Sequence, residues 1–190
     1  MTPNLEPTDA ELVAGALAGD GRAFTRLMQR HKDGLYRFIR RYTGDTDEAR
    51  DLVQESFTAA WRALKRYDSA RAFPTWLRSI ALNKCRDWSR RRAVRRWLTR
   101  NEGLNSPVGQ ALPDGAAGPE AAMAGQDDID RLERAIAALP DGLKAPLILT
   151  AIEGLSQAEA GRVLGLSAKA VEVRVYRARK ALAGRLGLEA

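Results

Sequence analysis

One cysteine and one histidine in 190 residues exclude two chemistries at once. Cys85 has no partner for an internal disulfide, and His31 alone cannot build the His/Cys cluster of a structural metal site. Aromatic residues make up only 6% of the chain, and no apolar run approaches the roughly 20 residues that span a bilayer. Residues 1–10 carry Glu6 and Asp9 with neither a basic start nor an apolar stretch, so no signal peptide is expected. Strand patterning is also scarce, because β-branched residues are scattered and no hairpin dipeptide joins two alternating apolar runs. What remains is a basic, charge-rich chain. Thirty-one Lys and Arg against 24 Asp and Glu give a net charge of +7, which favours a polyanionic partner. The chain is expected to be cytosolic, without membrane insertion, without a metal or other cofactor, and not an enzyme.

Helical signals fill the space the strands leave. Thr8 and Asp9 can cap a first helix reaching Ala18, and Asp20 a second beginning near Arg22. Phe24, Leu27, His31, Leu35, Phe38 and Ile39 recur there at helical spacing, and Gly44 is placed to end the run. Asp45 or Asp47 opens a third helix with the apolar stripe Leu52, Val53, Phe57, Ala60, Trp61 and Leu64. A polar loop over 65–72 precedes a fourth helix, about Phe73 to Leu98, whose inner side carries Phe73, Leu77, Ile80, Ala81 and Trp88. From Thr99 to about Gly125 the composition turns to Gly, Pro, Ala and Ser without periodicity, as a linker would. Beyond it, segments 129–139 and 141–153 end at Pro140 and Gly154. Ser156 to Val163 then opens on a capping box formed by Ser156 and Glu159. Gly165 supplies a left-handed turn, and Ser167 caps a last helix reaching about Leu186. The expected fold is all-α: a helical domain over 1–98, a flexible linker over 99–126, and a helix–turn–helix domain over 127–190.

Three constellations carry function. In the last helix, Val171, Val175, Ala178 and Leu182 share one face and should pack inward. Lys169, Glu172, Val173, Tyr176, Arg177 and Lys180 then face outward, a mixture suited to base edges and phosphates in a major groove. The alternative is an ordinary solvated face, which the co-occurrence of capping box, turn and basic helix argues against. Lys84 to Arg100 holds eight Lys and Arg against the single acid Asp87, with Trp76, Trp88 and Trp97 interleaved along the same helix. Such density binds phosphate, and aromatic faces stack on unpaired bases; Trp88 and Trp61 fit the apolar stripes and are expected in the core. The third constellation is Asp47, Glu48, Asp51 and Glu55 beside Gln54. Without a nearby His, Cys or Gly-rich loop these carboxylates are not catalytic. They suit a basic protein partner, although taken alone they read equally as a solvated face.

These segments match a known family. DEARDLVQESFTAAWRAL (47–64) resembles the polymerase-docking helix of bacterial sigma factors, with Asp51, Gln54, Glu55 and Phe57 in the expected places. FPTWLRSIALNKCRDWSRRR (73–92) resembles the helix that reads and melts the −10 element, and 139–182 the domain that reads −35. Two domains in this order, with no intermediate domain, place the chain in the extracytoplasmic-function (ECF) group. IALNKCRD and LTAIEGLSQAEAGRVLGLSAKAVE are similar to the sigma factors of nickel and cobalt resistance, which points to a subgroup and not to a metal response.

The resemblance implies core RNA polymerase as partner, through the β′ clamp coiled coil and the β subunit, together with promoter DNA and an anti-sigma factor. It implies −10 contacts from Phe73, Trp76, Asn83, Arg86, Arg90 and Arg91. It implies −35 contacts from Ser167, Lys169, Glu172, Val173, Tyr176, Arg177 and Lys180. The linker would thread the RNA channel of the polymerase. Glu172 departs from the family pattern, which has Lys or Arg there; its carboxylate can read cytosine or orient Lys169 or Arg177, and the two roles stand level. The rival functions are a sigma-like adaptor that binds only an anti-sigma factor, and a helix–turn–helix transcriptional regulator. Retention of both basic helices argues against the first, and the docking helix against the second.

Overall fold

Side-chain caps place the helix starts. Thr8 and Glu11 form a reciprocal box, each side chain accepting from the other's amide, that opens α1, Asp9–Leu17. The computed structural model describes residues 6–102 and 120–188, with side chains described for 6–98 and 127–188. The Asp20 carboxylate accepts from the Arg22 amide at 2.9 Å and starts α2, Gly21–Thr43, which ends at Gly44 with φ +72°. Only glycine holds that conformation cheaply. For α3, Thr46–Ala63, the cap is Asp45, whose carboxylate accepts from the amides of Asp47 and Glu48. One 3-10 turn, Leu64–Arg66, opens the loop to α4, Phe73–Glu102, which runs past the expected end at Leu98.

These four helices bury the stripes that the spacing predicts. Leu27, Phe38, Ile39 and Tyr42 of α2 meet Leu52, Phe57 and Ala60 of α3 and Leu77, Leu82 and Trp88 of α4, all buried. Trp61 is a correction: expected in the core, it is 46% exposed and leans on Phe24 with ring centroids 4.8 Å apart. The indole lies at the stripe's edge, where the neighbouring Ala60 already fills the interior. Phe57 and Phe73, which the periodicity put on inner faces and the resemblance put among the binding residues, are 3% and 1% exposed. Their spacing puts them on the inward side of their helices.

The second half begins with α5, Glu120–Ala137, which starts nine residues before the expected Ile129. Next comes α6, Asp141–Leu147, expected to run unbroken to Glu153. Instead the chain widens into a π-helical turn, Ile148–Ile152, with the Glu153 amide donating to the Ile148 carbonyl at 3.0 Å. Pro146 sits just upstream inside the helix. It has no N–H to give to the Gly142 carbonyl, so the regular ladder is already interrupted before the π turn begins. The short helix α7, Gln157–Leu164, opens on the Ser156–Glu159 box and ends at Gly165, φ +69°. Ser167 caps α8, Ala168–Leu186, against whose inner face (Val171, Ala178, Leu182) α6 and α7 pack. No strand occurs among the described residues, and no described helix is long and apolar enough to cross a membrane. Most of the expected linker, 103–119, lies outside the described residues.

The sequence did not foreshadow how the halves meet. Helix α5 lies on α2, α7 touches α4, and the buried side chains of both halves form one continuous cluster.

Candidate protein- and nucleic-acid-binding faces

Asp51, Gln54 and Glu55 lie on the exposed side of α3 and line an open groove with Thr58, Arg62, Arg66 and Lys84. The groove is mixed in sign where the sequence suggested an acidic stripe. Lys84 of α4 reaches across to Glu55 at 3.1 Å, so part of the acidic charge is balanced from the neighbouring helix. Phe57, counted with these three, lies beneath them in the core and supports the face without lining it.

The basic helix α4 presents a second face. Trp76, Asn83 and Arg90 are seven residues apart in turn and so share one side, with Arg86 between and Arg91 adjacent. Asn83, Arg90 and Arg91 are exposed, while Trp76 and Arg86 are half-buried. Trp76 is steadied from below by Tyr67 and Phe73, with ring centroids at 5.0 and 5.6 Å. One part of the indole is therefore packed and the rest is offered outward. Phe73 is the buried floor of this cluster, with the His31 and Tyr67 rings packed on it at 5.4 and 5.8 Å. Trp88 is buried as expected, with the Arg92 guanidinium 5.0 Å from its ring. Trp97 is 62% exposed near the far end of the helix.

The third face is on α8. Ser167, Lys169, Glu172, Val173, Tyr176, Arg177 and Lys180 are all exposed, Tyr176 at 67%. The register inferred from Val171, Ala178 and Leu182 therefore holds. Glu172 is engaged: both its oxygens accept from the Lys169 ammonium, at 2.9 and 3.0 Å.

Cys85 lies beneath the second face and is fully buried. Burial pushes its thiol up to about 12, against the opposing charge of Lys144. The thiolate forms only as pH rises towards that value, so at neutral pH the sulfur is a packing atom. Cys85→Ser should transcribe equally with and without peroxide, and native protein at pH 8 should resist iodoacetamide until denaturant is added. A peroxide response abolished by the substitution would contradict this.

The family models for Sigma-70 region 2 and Sigma-70, region 4 match residues 27–95 and 129–182. RNA polymerase sigma factor CnrH of Cupriavidus metallidurans is 40% identical over 96% of both chains, and NccH of Alcaligenes xylosoxydans xylosoxydans 37% over 92% of both. ECF RNA polymerase sigma factor SigW of Bacillus subtilis is 32% identical over 86% of this chain and 89% of its own. The chain belongs to the ECF RNA polymerase sigma factors. As a sigma factor it is a transcription initiation factor, not an enzyme; its partners are core RNA polymerase and promoter DNA. The structure of CnrH in complex with the cytosolic domain of CnrY superposes with a TM-score of 0.68 at 34% identity, over 96% of this chain and 99% of that one. The sigma factor RpoE in complex with the anti-sigma factor NepR from Bartonella quintana shares the fold, with a TM-score of 0.65 at 22% identity over 88% and 98%. The family expectation read from the docking helix, the basic helix and the helix–turn–helix is borne out.

The groove also takes in Arg62, Arg66 and Lys84, which the sequence reading did not count with the docking residues. For Arg62 and Arg66 the signal was present in the helical spacing from Asp51 through Thr58. Lys84 comes from another helix and could not be placed by spacing.

Proposed function

We propose that this ECF sigma factor divides its work among the three faces. The groove at Asp51, Gln54 and Glu55 docks on the β′ clamp coiled coil of core polymerase. The face with Trp76, Asn83, Arg86, Arg90 and Arg91 holds the −10 element and its unpaired strand. The exposed side of α8, from Ser167 to Lys180, reads −35 as duplex. Residues 1–98 and 127–190 form the two functional domains and 99–126 the connection between them. The chain acts in the cytoplasm, at the nucleoid when bound to polymerase. An anti-sigma factor controls it, in keeping with the complexes of CnrH with the cytosolic domain of CnrY and of RpoE with the anti-sigma factor NepR.

The observation that carries this proposal is the α8 face. Three basic residues, a tyrosine and a carboxylate stand in the solvent on the second helix of a helix–turn–helix, over a packed inner side. Transcription in vitro with core polymerase on a promoter library is the direct test. A common −10/−35 pair should emerge, and no enrichment would refute the proposal.

Of the two roles open to Glu172, the bidentate contact with Lys169 favours orientation over base reading. Glu172→Ala should shift binding similarly on all single-base variants of the −35 element without changing their rank. Loss of discrimination at one position, by roughly 1–3 kcal/mol, would instead make Glu172 a base reader. Arg177→Ala should weaken −35 binding in either case.

A further inference from the structure

We propose that the two halves of the free chain lock each other closed through Lys144, and that the closed chain covers the Trp76 end of its −10 face while leaving the polymerase groove open. Lys144 is a charged side chain with only 4% exposure, in the otherwise apolar run Leu143–Leu149. Such a group is costly to bury unless something across the interface answers it. The answer comes from the other half. The ammonium donates to the Tyr42 carbonyl at 3.0 Å and lies 4.6 Å from the centre of the Tyr42 ring. That carbonyl is in the last turn of α2, where carbonyls lack helical partners and the helix dipole is negative, so a lysine is well placed to cap it. Asp141, beside Lys144 at 3.6 Å, completes the charge balance and also accepts from Ser89 of α4 at 3.4 Å.

The lock sits within a matching surface. A β-carbon placed on Gly44 would come 2.8 Å from that of Ala137, so the end of α2 and the end of α5 approach as closely as their backbones allow. At the rim, Arg78 of α4 pairs with Glu153 at 2.5 Å, and the Glu153 side chain is only 8% exposed. These contacts bring α7 against the Trp76 end of the second face, where Glu159, Arg162 and Val163 enclose a cleft with Arg71, Trp76 and Ser79, while Asn83, Arg90 and Arg91 stay exposed. By contrast, the groove of Asp51 and Gln54 is lined by residues of the first half alone. Polymerase can therefore dock on the closed chain, and opening must precede contact of the −10 strand with Trp76. The occlusion rests on the assignment of the −10 face made above; the lock itself does not.

The test uses the full chain and two variants that open the interface by different means. Lys144→Glu places a carboxylate against Asp141 and the α2 carbonyls, and Ala137→Leu drives a side chain into the end of α2 without altering charge. Small-angle scattering of the wild type should give a radius of gyration near the roughly 16 Å of a compact 190-residue chain, and both variants should exceed it with unchanged helical circular dichroism. A single-stranded −10 oligonucleotide should bind each variant about tenfold more tightly, since only the open fraction is competent. Co-elution with core polymerase should not change. An expanded wild type, or variants as compact as the wild type, would overturn the lock. Expansion without tighter binding would retain the lock and overturn the −10 assignment. If Lys144→Glu loses helical signal, Ala137→Leu decides alone.

Discussion

The double variant Asp51→Ala, Gln54→Ala should elute apart from core polymerase on size exclusion while melting like the wild type. Both side chains are exposed on α3 and line the groove, with no part in the packed interior. Alanine is the best helix former, so the helix should not suffer, and surface changes of this kind usually cost within about 0.5 kcal/mol. The effect on association is large for a different reason. Charged and amide groups at the centre of a protein interface fix its register, and removing two at once leaves the partner's own polar groups unpaired when water is excluded. Normal co-elution with an unchanged melting curve would remove the docking role from this groove.

Phe57→Ala should fail in the opposite way. Phe57 belongs to the same motif in sequence, yet it is 3% exposed in the core with Leu52 and Ala60 of its own helix. Truncating a buried phenylalanine costs about 3–5 kcal/mol through lost transfer energy and the cavity left behind. That is a large part of the 5–15 kcal/mol or so that holds a domain together. Denaturant melts should show a lower midpoint, and polymerase binding should fall only in proportion to the unfolded fraction. Phe57→Leu should recover most of the stability. A melting curve unchanged by Phe57→Ala, with binding lost, would place the ring in the interface and not beneath it. The pair of variants separates a surface residue from its support.

Helix existence and helix ends were legible because they depend on local chemistry. Caps at Thr8, Asp20, Ser156 and Ser167, and left-handed stops at Gly44 and Gly165, form where the sequence puts them because each needs only three or four neighbouring residues. The outward face of α8 was legible for the same reason: once Val171, Ala178 and Leu182 turn inward, the helical period leaves Lys169, Tyr176 and Arg177 outside. Periodicity was weaker at the edges of a stripe. Trp61 is at such an edge, and whether it lies in or out depends on how much room α1 and α2 leave. For Phe57 and Phe73 the periodicity was sufficient, and both are buried; a family motif marks positions without saying whether a residue touches the partner or holds up one that does.

Only the tertiary structure decided the rest, and each item of it joins residues far apart in the chain. Lys84 completes a groove begun by Asp51 because α4 packs beside α3. Burial pushes the Cys85 thiol up against the opposing charge of Lys144, a residue 59 positions away, so depth and not the neighbouring sequence sets its protonation. Lys144 caps a helix ending 101 residues before it, at Thr43, and its hydrogen bond to Tyr42 spans 102 positions. Spacing within one segment determines which side a residue takes on its own helix. What that side meets depends on packing between helices, where desolvation and close approach set the energies and the intervening sequence carries no signal.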